Sequence, residues 1–436
     1  MTSLPGFTVD IDHNPYLPAG GRDVSAVVTV TAESSDDTPP EPGAAGASAE
    51  IIIVDRSGSM GVPRSKIVQA RAATVAAVDV IRDGTWFAII AGAGDAHPVY
   101  PGKGSMALAD ERTRKEAKQA ARKLRVRPGT AMSTWLRLAH RMFQSCPATL
   151  RHAILLTDGE NLESPKKLAA AIALCEGAFR CDCRGVGTDW KVRELREIST
   201  ALLGTVDIVP DPAGLTADFQ EMMRGAMSKQ LPDVLLRVWT PQQYTVQFVK
   251  QVAPAIDDLT ARRVQSGAQA GDYPTGAWAP GETRDYHVGI RVNAAAAGQE
   301  MLAARVSLVA SSPDGQRVLG QGLIKAVGTD DEELSTRINQ RVAHYTGQQE
   351  LADAIQEGLE ASKRGDGETA NAKLGRAVAL AHQAGNEDTA RLLAKVVDVV
   401  DEATGTVRLK KKVEAADEMA LDTRSTKTVR VKKELP

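Results

Sequence analysis

The chain has 436 residues, enough for two or three folded units at ~100–200 residues per domain. Its 53 Lys and Arg against 55 Asp and Glu leave a formal net charge of −2, which argues against general nucleic-acid or membrane binding, since both need a net basic chain or face. Hydrophobic residues at 43% and charged residues at 25% exclude global disorder, and only 4% aromatics means that the cores are aliphatic.

The N-terminal residues MTSLPGFTVDIDHNPYLPAGG lack a basic segment followed by an apolar one, so no secretory leader is expected. No run of ~18 apolar residues occurs, so no membrane span is expected. Four cysteines (Cys146, Cys175, Cys181, Cys183) in a chain this long do not make a disulfide framework. Cys181-Asp182-Cys183 lacks the spacing and the second pair of a zinc site. Reduced, buried thiols and a cytoplasmic location are the expectation.

In chain order, FTVDID and DVSAVVTVTA within residues 1–32 alternate apolar and polar positions as half-buried strands do. Residues 33–49, rich in Pro, Gly, Ser and Asp, read as a linker. The grammar changes over residues 50–230. Ile51–Val54 is a continuous apolar run, as in a strand covered on both faces. A helix is predicted over Arg64–Ile81, a strand at Trp86–Ile90, and helices at Ala109–Leu124 and Met132–Phe143. The pattern continues with a strand at His152–Leu156, a helix at Pro165–Cys175 with Pro in its first turn, and a strand at Cys181–Val186. A helix at Val192–Leu202, a strand at Val206–Val209 and a helix at Leu215–Met227 complete it. Such alternation implies an α/β fold, a doubly wound and mostly parallel sheet with helices on both faces.

Residues 231–328 carry closely spaced strands (VLLRVW, YTVQFVK, TRDYHVGIRV, AARVSLVA, QRVLGQGLIKAV) with Pro/Gly/Asp turns, the pattern of a β-sandwich. The N-terminal strands have no partners of their own, so the α/β domain is expected to be inserted in that sandwich. Residues 329–402 read as two or three antiparallel helices, from the spacings Leu351/Ile355/Leu359, Leu374/Val378/His382 and Leu392/Val396/Val400. Residues 403–436 read as a flexible, basic, Thr-rich tail; 407–433 hold nine Lys/Arg and four Asp/Glu.

The residues that carry chemistry lie at one edge of the α/β sheet. Asp55-Arg56-Ser57-Gly58-Ser59 follows the first buried strand, and Thr130 follows Pro128-Gly129 before a helix. Asp158 ends the strand before Gly159-Glu160-Asn161. In an open α/β sheet, ligands bind at the carboxyl ends of the strands. Hydroxyls and carboxylates without His or Cys suit a hard cation such as Mg²⁺. A helix start alone would attract an anion, a preference that two carboxylates overrule.

These residues resemble the von Willebrand factor type A (VWA) domain with its metal-ion-dependent adhesion site, in an intracellular bacterial form. The matching positions are Asp55, Ser57, Ser59, Thr130 and Asp158, and the likeness covers roughly residues 50–230. It implies that the two serines and the threonine bind the metal directly while the aspartates act through water. It also implies that the last coordination position takes an Asp or Glu side chain from a partner protein. Mg²⁺ is the expected ion, with Mn²⁺ or Ca²⁺ as alternatives. The likeness does not reach the sandwich, although the insertion is similar to the architecture of integrin β subunits and some bacterial relatives. Arg56, Gly58, Gly129 and Glu160 could tune partner choice or serve as ordinary loop residues.

Catalytic motifs are missing from the sequence. Pro101-Gly102-Lys103-Gly104-Ser105 lacks the first Gly of a phosphate-binding loop. Seven scattered histidines form no H-E-x-x-H, and Ser57-Gly58-Ser59-Met60-Gly61 has Ser where a nucleophile elbow needs Gly. The expectation is a non-enzymatic interaction scaffold or regulatory adaptor. Two alternatives are a VWA subunit of a multi-protein ATPase or chelatase machine, and a signalling substrate. In the latter, Thr423, Thr426 or Thr428 would be phosphorylated and read by an Arg-bearing phosphothreonine-binding partner.

Overall fold

The computed structural model describes residues 6–33, 48–312 and 315–430. The chain divides into two compact units, one formed by residues 1–36 and 233–436 and the other by residues 37–232. The expected linker, apart from its last two residues and Glu33, lies outside the described residues, as do residues 431–436.

The first unit opens with strands β1 (Phe7–His13), β2 (Tyr16–Pro18) and β3 (Asp23–Ala32). The second unit follows, with β4 (Ser48–Asp55), α1 (Ser65–Val80) and β5 (Trp86–Gly92). Next come β6 (Ala96–Tyr100), β7 (Ala107–Leu108), α2 (Glu111–Arg122), α3 (Met132–Gln144) and β8 (Leu150–Thr157). It closes with α4 (Pro165–Cys175), β9 (Arg180–Val186), α5 (Val192–Ala201), β10 (Val206–Val209) and α6 (Leu215–Ser228). Their sheet has the order β10-β9-β8-β4-β5-β6, with β7 also on β5. Pairings among β4, β5, β8, β9 and β10 are parallel, whereas β6 and β7 run antiparallel to β5.

The apolar run in β4 is buried throughout, Ile51 to Val54 being fully enclosed. Ile52 and Val54 face α1 and α6 through Ala70, Ala73, Ala77, Phe219 and Met223. Small residues on α1 let that helix lie close over the strands, which suits a core low in aromatics. The unpredicted strand β6 contains Pro98, a residue that an edge strand tolerates and a central one does not. All four cysteines are free and buried; burial pushes the Cys175 thiol up to about 12.

The first unit resumes with β11 (Leu231–Trp239), β12 (Thr245–Ala253), β13 (Asp257–Asp258), β14 (Val264–Gly267) and β15 (Ala270–Trp278). Strands β16 (Thr283–Arg291), β17 (Glu300–Ser312) and β18 (Gly315–Thr329) follow. Two sheets result, β1-β3-β16-β12-β13 and β14-β15-β11-β17-β18-β2. Strand β3 pairs with both β1 and β16, so the N-terminal strands share a sheet with strands from the far side of the α/β segment. Phe7 from one sheet meets Trp278 from the other edge to face, ring centroids 5.2 Å apart. Strand β15, AGDYPTGAW, is absent from the sequence reading because Gly271, Pro274 and Gly276 look like turn residues.

After β18 come α7 (Glu332–Ser335), α8 (Gln340–Lys363), α9 (Gly367–Gln383) and α10 (Glu387–Val396). A hairpin of β19 (Val397–Asp401) and β20 (Thr406–Leu409) and a last helix α11 (Ala415–Arg424) complete the unit. Leu351, Ile355, Leu359, Leu374, Val378, Leu393, Val396 and Leu421 pack in one core. Two expectations are corrected here. The spacing Leu392/Val396/Val400 does not continue a helix, because the β-branched stretch Val396–Val400 turns to strand. Residues 403–436 are not simply a flexible tail. They contain β20 and α11, and Leu421 is buried in the helical core because the apolar residues of MALD find a surface to cover.

Candidate metal centre

Asp55 ends the central strand β4, Thr157 ends its neighbour β8 with Asp158 directly after it, and all lie at the carboxyl edge of the parallel strands. Asp55 is fully buried. Its Oδ2 accepts the Thr157 hydroxyl at 2.5 Å and its Oδ1 accepts the Ser57 backbone N–H at 2.6 Å. Burial pushes this carboxyl up to about 6, against the pull of those hydrogen bonds, and the nearby Asp158 raises it further. The Ser57 and Ser59 hydroxyls are 2.9 Å apart, and the Ser59 hydroxyl donates to Asp158 Oδ1 at 2.6 Å.

Thr130 arrives on a loop stitched to the end of β5. The N–H of Gly94 donates to the Pro128 carbonyl, and that of Ala131 to the Ala93 carbonyl. Gly129 is at φ +86, and a Cβ there would lie 2.8 Å from Gly94 Cα, so only glycine fits this crossing. The N–H of Leu162 donates to the Thr130 carbonyl, joining the loop to the segment after Asp158.

All five expected site residues therefore come to one place. A Cβ built on Gly159 would meet Ser59 Oγ at 3.1 Å, Thr130 Oγ1 at 3.7 Å and Ser57 Oγ at 3.8 Å. Three hydroxyls thus surround a space that a missing side chain leaves open, with two carboxylates behind them. That donor set is all oxygen, as Mg²⁺ and other hard cations require, so the residues present fit such an ion. The other candidates divide. Gly129 has a backbone role, and Glu160 pairs at the surface with Lys191 (2.7 Å). Arg56 is half-buried, with its Nε lacking a partner.

Several residues that shape the site escaped the sequence reading. Lys66 on α1 is buried, its Nζ 2.8 Å from Asp158 Oδ2 and 3.2 Å from the exposed Asp189. Burial would lower this ammonium, but its two acidic partners outweigh it and hold the group above its ordinary value. Asn161 Oδ1 accepts the Met132 N–H, and Glu163 accepts both the N–H and the hydroxyl of Ser133, so the start of α3 is capped from the Asp158 loop. Trp135 Nε1 donates to the Ala93 carbonyl. None of these contacts has a local signal, since each joins segments ~30 or more residues apart.

At the opposite edge of the sheet, His152 lies between Glu50 (2.7 Å) and Asp182 (2.9 Å). Two of the three tail threonines are engaged: Thr423 is 2% exposed, and the Thr428 hydroxyl donates to the Val252 carbonyl at 2.6 Å, while Thr426 is half-buried.

The model of the von Willebrand factor type A domain matches residues 49–208, and that of the von Willebrand factor type A C-terminal domain matches residues 379–425. No curated protein matches the chain. The chain is similar to the solved structure of a von Willebrand factor type A protein from Catenulispora acidiphila, with 49% identity and a TM-score of 0.92 over 98% of each chain. It is also similar to the ArnB paralog VWA2 from Sulfolobus acidocaldarius (13% identity, TM-score 0.55, 97% of this chain and 98% of that one), a likeness of fold alone. With nearly half its residues shared along its whole length with one such protein, the chain belongs to the von Willebrand factor type A family.

Proposed function

We propose that this protein is a non-catalytic scaffold or regulatory adaptor that grips an acidic side chain of a partner protein through a divalent cation. VWA domains are in general protein-interaction modules, and no helix among the described residues is long and apolar enough to cross a membrane. The observation that carries the reading is the cradle of Ser57, Ser59 and Thr130 hydroxyls around Gly159, backed by Asp55 and Asp158. A bound Mg²⁺ would supply a Lewis-acidic position for the partner's carboxylate; Mn²⁺ or Ca²⁺ would serve the same chemistry. Asp55 fixes the strand end through Thr157 and the Ser57 N–H, Asp158 orients Ser59, and the capped α3 start holds Thr130 in place. With hydroxyls as the direct donors, the cation stays electron-poor and gains from an incoming carboxylate. A cytoplasmic location fits the reduced, buried thiols.

The phosphothreonine alternative has less support, since Thr423 is buried and Thr428 is hydrogen-bonded within the fold. A pull-down from native lysate tests the main reading against the others. A partner held by wild type in Mg²⁺, and lost both in EDTA and in Ser57→Ala, supports metal-bridged recognition. Co-purification of an ATPase would favour the machine-subunit reading. Binding indifferent to metal and to the substitution would remove the site from the function.

A further inference from the structure

The Asp158 carboxylate already has a cation. Lys66 Nζ lies 2.8 Å from Oδ2, with the lysine side chain 7% and the Asp158 side chain 0% exposed. Ser59 occupies the other oxygen at 2.6 Å. In so buried a place the attraction between ammonium and carboxylate is poorly screened. The charges can be counted. Asp55 and Asp158 contribute two negatives, and Lys66 cancels one, leaving a single net negative charge for a dication. Among the described residues no group of three or more His, Cys, Asp or Glu is placed to hold a metal, so Asp55 and Asp158 have no third such ligand beside them. Asp189, the other partner of Lys66 at 3.2 Å, is 68% exposed in its side chain and so less able to hold the ammonium away from Asp158.

We infer that Lys66 is a positioning residue that competes with the divalent ion for Asp158, so that the site binds metal weakly by itself and holds it firmly only when a partner carboxylate adds the missing negative charge. This rests on the reading of the site as a cation centre and adds to it a resident competitor. Metal and partner then depend on each other: neither is retained well alone. Exchange of the ion in the absence of a partner is correspondingly easy.

The test is Mn²⁺ binding to the full chain, followed by the electron paramagnetic resonance signal of the free ion, with no partner present. Lys66→Met removes the competing charge, leaves Asp158 in need of a cation, and should bind Mn²⁺ ~10- to 100-fold more tightly than wild type, as the one to three pKa units typical of a neighbouring charge imply. Lys66→Arg keeps the charge and should remain close to wild type. Ser57→Ala should lose binding in either background, which locates the ion. Lys66→Gln, which keeps a hydrogen-bond donor to Asp158 without the charge, serves if the methionine variant fails to fold; near-ultraviolet circular dichroism reports on folding in each case. Equal or weaker binding by folded, uncharged variants, with Ser57→Ala still abolishing it, overturns the role of Lys66 while the metal site stands. No Ser57-dependent binding by any variant overturns both.

Discussion

The indole of Trp135 lies where a side chain of Gly92 would be: a Cβ built on Gly92 would come within 2.3 Å of the ring. Gly92 ends β5 and Trp135 sits in the first turn of α3, so this contact presses the helix onto the strand end beside Thr130. Trp135 is fully buried and its Nε1 donates to Ala93 at 2.9 Å. Gly92→Ala must displace a ring that has nowhere to go. Its expected cost is ~2–3 kcal/mol, within the range for overpacked cores, measured by urea unfolding. A cost below ~0.5 kcal/mol, the size of an ordinary surface substitution, would mean that the helix shifts freely.

Gly159 tests the site itself with little demand on the fold. Its added methyl would stand 3.1 to 3.8 Å from the Ser59, Thr130 and Ser57 hydroxyls, the groups that would hold the proposed ion. Gly159→Ala should weaken Mn²⁺ binding by about tenfold or more, the equivalent of ~1.4 kcal/mol, while the melting temperature changes little. Unchanged affinity in calorimetry would place the ion elsewhere.

His152 gives the stability a pH dependence. Burial opposes its charge, but Glu50 and Asp182 on the flanking strands outweigh burial and raise it to about 9 from an ordinary 6.5. The folded value lies above the unfolded one, so this stabilisation is complete below pH ~6.5 and is lost as the pH rises through ~9. The shift corresponds to on the order of 3 kcal/mol as an upper figure, because burial raises Glu50 and offsets part of it. Wild type should lose more of its unfolding free energy between pH 7 and 9.5 than His152→Gln does. Parallel pH profiles for the two proteins would contradict the assignment.

Asp285 joins strand β16 to the C-terminal segment. Its buried carboxylate accepts from Thr29 (2.7 Å), Tyr345 (2.5 Å), Arg341 (3.2 Å) and Arg430 (3.0 Å). Asp285→Ala leaves Arg341 buried without this partner and should cost ~3–5 kcal/mol. Arg430→Ala removes a half-exposed partner and should cost ~1 kcal/mol or less. Denaturant titrations giving equal costs would show that the tail contact carries as much as the core pair.

The α/β alternation was legible because each element there has its own period: Ile51–Val54 is uniformly apolar, and α3 and α5 are strongly amphipathic. Strand β15 was hidden by Gly271, Pro274 and Gly276, whose local preference for turns is overridden by pairing on both sides. The end of α10 at Val396 was hidden because residues four apart, as Leu392, Val396 and Val400 are, share one face in a helix and in a strand alike. The five candidate residues stood out because type and order suffice to mark a motif.

What the sequence by itself determined is therefore the α/β framework, the family resemblance and the list Asp55, Ser57, Ser59, Thr130 and Asp158. Their oxygen chemistry is written in residue identity, and the strand ends that carry them follow from apolar runs. Only the tertiary structure decided that Lys66 neutralises Asp158, that Gly159 leaves the space among the hydroxyls, and that Arg430 reaches Asp285. Each of these is a distance between segments far apart in the chain, and such distances are set by how strands register and helices pack, which no local pattern of residues encodes.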